Sequence, residues 1–306
     1  MKTPLRVIPV PAKGAEDVLV DASGLLWTGT EDGSIWRLRP DGTKIDRIGN
    51  TGGRPLGLEL LPDDRILIAD AHKGLLAMDD SGRIESLVSD VHGFPMIFCN
   101  NAAVAGNGDI YFSDSSMRYS VERWKDDFVQ NTRTGRLLVR RADGTVEVLL
   151  DGLAFANGVA LAADESFVAV AETAGRSVVR LWLTGHTAGQ HDFLVRHLPG
   201  YPDNIARGSD GLIWVTIASP RDPLVERLQR APMRVRRTVT RIPDRLQPQP
   251  KRTARVQAYD DQGVLVHDID ADPEHFHMAT GVREHDGQVW LGSLVEPSIA
   301  LVETNH

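Results

Sequence analysis

Short runs in which apolar residues alternate with small or polar ones recur along the chain, each opened by a turn signal of Asp, Asn, Ser or Gly. They read SGLLWTG from Ser23, DDRILIAD from Asp63, NGDIYFSD from Asn107, DESFVAVAE from Asp164, DGLIWVTI from Asp210 and DGQVWLGS from Asp286. A two-residue period is that of a strand with one face packed on a core. Most copies lead into a second strand and another turn, as in GSIWRLRPDG from Gly33, GLLAMDDSG from Gly74 and GRLLVRRADG from Gly135. Hairpins repeated about six times predict an all-β fold, a six-bladed β-propeller forming one domain over residues 1–306.

The copies are separated by about 40 to about 76 residues, and the smaller spacings suit four-stranded blades. Two blades therefore carry insertions, at residues 117–134 and at about 220–252, and neither reads as a strand. The second holds Leu224, Val225, Leu228, Val235, Val239 and Ile242 at partly helical spacing among Arg227, Arg230, Arg234, Arg236, Arg237 and Arg241. Prolines at 232, 243, 248 and 250 cut it into short helices. Three readings stay open for this basic segment: a cap over the channel mouth, a membrane-surface helix, or an anion-binding patch.

Composition narrows the function. With 42% hydrophobic and 25% charged residues, 28 Gly and 17 Pro, the chain has the balance of a folded, turn-rich globular protein. A net charge of -8 argues against nucleic acid as partner. The lone Cys99 permits no intramolecular disulfide and points to a reducing compartment, so a cytoplasmic location is expected. The N-terminal stretch is broken by Pro4, Pro9 and Pro11 and lacks the apolar core of a signal peptide. No apolar run is long enough to span a bilayer, which leaves peripheral contact as the open membrane reading.

Four segments place Glu, Asn or Asp at the starts of different repeats: GAED at 14–17, FCNN at 98–101, FANG at 155–158 and YPDN at 201–204. Innermost propeller strands line one axial channel, so equivalent positions converge although they are distant in sequence. Glu16, Asn100, Asn157, Asp203 and Asn204 would then offer carboxylate and amide oxygens without imidazole or thiolate. That donor set suits Ca²⁺, with another divalent metal as an alternative, and fits Zn²⁺ poorly. Any one of these residues beside Gly is an ordinary turn former; four such segments in matching places, each after apolar or aromatic residues, point to one site.

The segments GRPLGLEL at Gly53, IADAHKGLL at Ile68, IYFSDSS at Ile110, LAFANGVALAADESFVAVAET at Leu153, LPGYPDNIARGSDGLIWV at Leu198 and EHDGQVWLGSL at Glu284 resemble the strictosidine synthase-like family. That family is similar in fold to the paraoxonases and gluconolactonases. The resemblance runs from about Glu16 to Leu301 and is weakest in the insertions. It implies that the positions of Glu16, Asn100, Asn157 and Asp203 hold a catalytic Ca²⁺ or related metal, with Asn204 added as in paraoxonases, whose GSED motif GAED resembles. Three departures stand out. Thr280 occupies the place of the glutamate that serves condensation in plant strictosidine synthase. Leu56 replaces a paraoxonase histidine, and the cysteine pair of eukaryotic members is missing.

The expected function is Ca²⁺-dependent hydrolysis of a small-molecule lactone or aryl ester in the channel, phosphotriesters being open to the same constellation, with the metal polarising the carbonyl for attack by water. Asp203 is the first candidate for the base and Asp17 the second. His72, His275, His277 and His285 are alternative proton carriers, and His72, which follows a strand end, is the first of them. Cys99 reads as a buried apolar thiol, and Asp70, Asp114 and Glu172 as channel carboxylates or turn caps. Two alternatives remain: a carbon–nitrogen lyase, which Thr280 disfavours, and a non-enzymatic propeller that binds a ligand or partner.

Overall fold

Turn chemistry sets where the strands begin and end in the computed structural model, which describes residues 2–242 and 250–303. In the turn before Ile213, Asp210 Oδ1 accepts the Leu212 N–H at 2.9 Å while Gly211 takes φ 80°. That left-handed conformation is the reason for Asp-Gly at hairpin turns. Where glycine is absent, Asp64 and Glu165 adopt it instead, with φ 65° and 55°.

Between such turns the chain forms six four-stranded antiparallel sheets. Blade I comprises Leu19–Val20, Leu26–Gly29, Ser34–Leu38 and Ile45–Asn50. Blade II runs through Pro55–Leu60, Ile66–Asp70, Gly74–Met78 and Ile84–Val88, and blade III through Cys99–Val104, Ile110–Asp114, Gly135–Arg140 and Val146–Leu153. Blade IV contains Ala156–Leu161, Phe167–Glu172, Ser177–Trp182 and His191–Val195. Blade V contains Gly200–Arg207, Ile213–Pro220, Ala254–Tyr259 and Leu265–Ala271. Blade VI is Ala279–His285, Gln288–Ser293 and Ser298–Val302, completed by the N-terminal strand Leu5–Pro9.

The six-bladed β-propeller predicted from the repeats is thus present, and its packing departs from expectation in one respect. The alternation predicts one packed face per strand, yet Ile66–Asp70, Ile110–Asp114 and Phe167–Glu172 are buried along their whole length. Each sheet is sandwiched between two neighbours, so both faces meet apolar side chains. One core cluster lies between each pair of adjacent blades: Leu67, Phe112 and Leu138 join II to III, and Val159, Val168 and Leu137 join III to IV.

Both insertions link the second and third strands of their blades. In blade III a 3₁₀ turn, Val121–Arg123, leads into helix α1, Trp124–Gln130. In blade V the basic segment forms α2, Pro223–Arg230, and α3, Met233–Val239; Pro243 and Pro248 lie outside the described residues. A short hairpin pairing Asp90–Val91 with Phe94–Pro95 precedes blade III and carried no turn signal beyond His-Gly at 92–93. No helix among the described residues is long and apolar enough to cross a membrane.

The ring closes because Leu5–Pro9 pairs with Ser298–Val302 in the register Leu5↔Val302 to Pro9↔Ser298. It buries Ile8 and satisfies an edge that would otherwise be open. Deleting residues 2–9 is expected to lower stability by about 3 kcal/mol or more, from roughly 2 kcal/mol of apolar burial and about 1 kcal/mol per lost hydrogen bond. Chemical denaturation of the truncated protein measures this; an unchanged midpoint would refute closure by this strand.

Candidate functional site

Inner strands at one end of the ring share a local distortion. The antiparallel register slips between Pro55 and Gly57, Cys99 and Ala102, Ala156 and Val159, Pro202 and Ile205, and Ala279 and Val282. A bulge leaves residues out of the ladder and re-aims their side chains. The residues freed in blades III to VI are Asn100-Asn101, Asn157-Gly158, Asp203-Asn204 and Thr280-Gly281; in blade II only Leu56 is freed, ahead of Gly57, which pairs with Ala69, and Glu16-Asp17 takes the same place just before blade I.

The second member of each pair alternates between Gly and Asp or Asn for a steric reason. A β-carbon on Gly57 would stand 2.8 Å from Asn100 O, one on Gly158 2.0 Å from the Ile205 N, and one on Gly281 2.5 Å from Glu16 O. Blades II, IV and VI therefore seat backbone to backbone against III, V and I. The polar partners then stitch the ring: Asp17 Oδ2 accepts the Leu58 N–H and Asn101 Oδ1 the Val159 N–H, both at 2.9 Å. Asp17, the second candidate base, is thereby committed to structure, with its carboxylate also bound to the Val18 N–H. Burial pushes its pKa up to about 6, against the opposing charge of Arg283.

First members have the freer role. Glu16, Asn100, Asn157 and Asp203 line one cavity, walled by Phe98, Phe155 and Tyr201 and covered by Trp124 and Phe128 of α1 and Val225 and Leu228 of α2. Phe98 and Phe155 meet edge to face, with centroids 5.4 Å apart, and Phe128 stands edge-on to Tyr201 at 4.8 Å. The helices are tied to one another by Gln229 Nε2 to Phe128 O at 2.9 Å and Gln130 Nε2 to Thr240 Oγ1 at 2.9 Å. The inner face of the basic segment thus lies against the cavity through Leu224, Val225, Leu228 and Val239.

Two amides are locked so that their oxygens remain free. Asn100 Nδ2 donates to Ser115 Oγ at 3.0 Å, whose own proton goes to Ala156 O, and Asn157 Nδ2 donates to Thr173 Oγ1 at 3.2 Å. Asn100 Oδ1, Asn157 Oδ1 and Asp203 Oδ1 are buried without a hydrogen-bond partner among the described residues, as are Oδ1 and Nδ2 of Asn204. Asn204 does not line the cavity; it abuts Gly158 behind Asp203.

Burial drives the electrostatics. It raises the pKa of Glu16, with Asp203 and Asp17 adding to the rise and Arg54 opposing it. It raises that of Asp203 as well, with Asp17 adding and hydrogen bonds from Asn157 and the Asn204 backbone opposing. Arg54, which sequence reasoning missed, reaches Glu16 Oε2 with Nη2 at 3.3 Å and lies against Gly14. Only the absence of a side chain at Gly14 makes room for it, a signal visible just in retrospect. Among the described residues no group of three or more His, Cys, Asp or Glu converges as a metal site; the constellation is two carboxylates with amide oxygens.

No histidine is among the cavity-lining residues. His72, the first of the alternative proton carriers, instead meets Glu122 Oε1 with its Nε2 at 2.6 Å at the surface, away from the cavity lining. Its partner comes from the blade III insertion and was invisible from the Asp70 strand end. His277 pairs with Glu296, His275 lies by Glu274, and His285 by Asp286. Thr280 Oγ1 donates to Glu16 O at 3.0 Å, and Leu56 is buried with Phe98 and Phe155. Cys99 is fully buried, and burial pushes its thiol pKa well up.

Asp70, Asp114 and Glu172 cap the ends of second strands. Asp70 Oδ1 accepts the N–H groups of Arg54, His72 and Lys73, Asp114 pairs with Arg136, and Glu172 Oε1 accepts the Ala154 N–H. Because the oxygens are aimed by backbone seating, Gly158→Ala is expected to cost about 3 kcal/mol or more. A thermal melt reads the loss, and wild-type stability would mean that blades IV and V are not in such close contact.

Comparison with known proteins agrees with this architecture. The family profile described as Strictosidine synthase matches residues 100–186, and Strictosidine synthase-like, N-terminal, matches residues 5–38. Protein STRICTOSIDINE SYNTHASE-LIKE 10 of Arabidopsis thaliana is 34% identical, over 95% of this chain and 86% of the relative. The adipocyte plasma membrane-associated protein of Rattus norvegicus is 31% identical, over 92% and 81% respectively. Among solved structures, a gluconolactonase from Xanthomonas campestris superposes with a TM-score of 0.71 at 16% identity, covering 97% of this chain and 88% of that one. The calcium-binding protein regucalcin from Agrobacterium tumefaciens gives 0.66 at 14% identity, covering 96% and 94%. Those two likenesses are of fold. The identities and coverage of the first two relatives carry more: the chain belongs to the strictosidine synthase-like family.

Proposed function

We propose that the protein is a Ca²⁺-dependent hydrolase of lactones or esters, aryl esters included. The observation that supports this is the gathering of buried, unpartnered oxygens on Asn100, Asn157 and Asp203 in the cavity that Glu16 also lines. Each such oxygen costs about 1–3 kcal/mol if left unsatisfied. A hard cation that takes six to eight oxygen ligands relieves several at once. The donor set fits Ca²⁺, held by Glu16, Asn100, Asn157 and Asp203, with Asn204 in reserve behind Asp203. Bound there, it would polarise the substrate carbonyl and stabilise the oxyanion that develops as water attacks.

The chain's own residues do the rest. Phe98 and Phe155 offer an apolar wall for the acyl or aryl portion, and the helices of both insertions shield the cavity from bulk water. The Asp203 carboxylate, which lines the cavity beside the amide oxygens, takes the proton of the attacking water. The proton passes to the leaving oxygen as the carbon–oxygen bond breaks, so one water is consumed and a hydroxy acid, or an acid and an alcohol, is released. Arg54 keeps Glu16 in place. The propellers of a gluconolactonase and of calcium-binding regucalcin accord with this reading. No observation favours the carbon–nitrogen lyase, since the Thr280 hydroxyl is engaged by Glu16 O.

Metal analysis joined to a lactone and aryl-ester panel, with and without chelator, tests the proposal. Stoichiometric calcium and hydrolysis abolished by chelation are expected; hydrolysis indifferent to chelator would overturn it. Asp203→Asn is expected to lower turnover by about 10²-fold or more with an unchanged circular-dichroism spectrum. Near-normal turnover in that variant would reject Asp203 as the base.

A further inference from the structure

The two faces of the blade V cap carry different chemistry, and the site uses only one of them. Val225, Leu228 and Val239 face the cavity, and Glu226 anchors α2 to the ring by ion pairs with Arg176 at 3.0 Å and Arg221 at 2.7 Å. The outward face exposes Arg227, Arg230, Arg234, Arg237 and Arg241 together with Val235, whose relative exposure is 45%. Nothing in the proposed hydrolysis calls for this second face.

Other exposed apolar side chains sit on the same end of the ring. Met117 lies in the blade III insertion, Phe94 in the hairpin leading to the inner strand of blade III, and Val295 in the turn after Gln288–Ser293. Each belongs to a connection at the end where the inner strands begin and the cavity opens. Their exposures are 53%, 70% and 39%. An apolar rim mixed with arginines is the composition of a surface that rests at a lipid interface, with side chains in the headgroup boundary and cations on anionic lipid.

Charge adds direction. The chain carries a net charge of -8, so an anionic surface repels most of the molecule. The segment from Pro220 to Ile242 sets seven arginines against Asp222 and Glu226 alone. Positive charge is therefore concentrated in the segment whose inner residues line the cavity. A nucleic acid would use the arginines but not Met117, Phe94 and Val235, which are costly to keep in water without an apolar partner.

We propose that the outer face of the blade V cap, with the apolar rim around it, docks the protein on an anionic lipid bilayer with the cavity mouth toward the membrane. In that orientation an apolar substrate dissolved in the bilayer would reach the Phe98 and Phe155 wall through the cap without crossing water.

Co-sedimentation of the full chain with phosphatidylcholine vesicles, with and without phosphatidylserine, tests this. Binding should require phosphatidylserine and should fall as salt rises from about 0.1 M to about 1 M, where screening shortens from roughly 10 Å to 3 Å. Arg234→Gln with Arg237→Gln should weaken binding about thirty-fold, near five-fold per arginine. Val235→Ser with Met117→Ser should weaken it independently at low salt, where a purely ionic contact would be undiminished. Equal binding to both vesicle types, or full binding by the Val235→Ser, Met117→Ser protein, would overturn the proposal, the second outcome marking a general polyanion site. Melting curves check that each variant folds. Should one fail to fold, the phosphatidylserine requirement and salt dependence of the unaltered protein decide the matter.

Discussion

Crowding at the propeller axis is the constraint on which the rest depends. Six inner strands must approach one another within van der Waals contact, and at the cavity end there is no room for a full side chain on every strand. Gly57, Gly158 and Gly281 yield the space on alternate blades, and Asp17, Asn101 and Asn204 occupy it on the others. Two of these polar residues bond to the neighbour's backbone, Asp17 and Asn101 through the Leu58 and Val159 amides. The same bulges that make this seating turn the preceding residue inward. The ligand-like oxygens are thus a by-product of how the ring closes on itself, which places them on its inner strands.

Three buried carboxylates share this region, and they are compensated unequally. Asp17 has two N–H donors and faces Arg283, and Glu16 has Arg54. Asp203 has hydrogen bonds from Asn157 and the Asn204 backbone, and among the described residues no Lys or Arg forms a salt bridge with it. A buried carboxylate without a countercharge is held protonated or waits for one. Its Oδ1, and those of Asn100 and Asn157, have no donor among the described residues. The imbalance sets Asp203 apart from Asp17, although both carboxylates lie in the same layer, and is the reason the proposed cation is assigned to Asp203.

Much of this was legible in the chain because it is written in local turn chemistry. Asp-Gly pairs such as Asp210-Gly211 mark strand ends by mechanism, and four Asn- or acid-bearing segments at matching places mark one layer of the ring. Within that layer, though, sequence singled out Asn100 beside Asn101 but kept both Asp203 and Asn204, since the bulge decides which of two neighbours turns inward. Arg54 was missed because its partner is 38 residues away and its slot is made by a glycine. His72 looked available from its own strand, and only the packing of the blade III insertion brings Glu122 to it. The alternation in each strand also understated burial, because a sheet inside a ring has two neighbours while a hydrophobic pattern is read one face at a time.

The insertions obey a different logic from the blades, and this explains why their sequence has so little periodicity. A blade repeats because every blade meets the same two neighbours. The cap meets the ring on one side only, through Val225, Leu228 and Val239, and needs just enough helical order to hold them. Two turns of α2, fixed by the Asp222 cap on the Leu224 and Val225 amides and by Glu226 on Arg176 and Arg221, meet that need. Everything facing outward is then released from the packing constraint, and arginines can gather there without cost to the fold. A rigid ring that fixes the oxygens, with a lightly anchored cover that carries surface chemistry, lets the two change independently. The cover can vary in what it meets while the seating of Gly158 on Ile205 keeps the cavity floor unchanged.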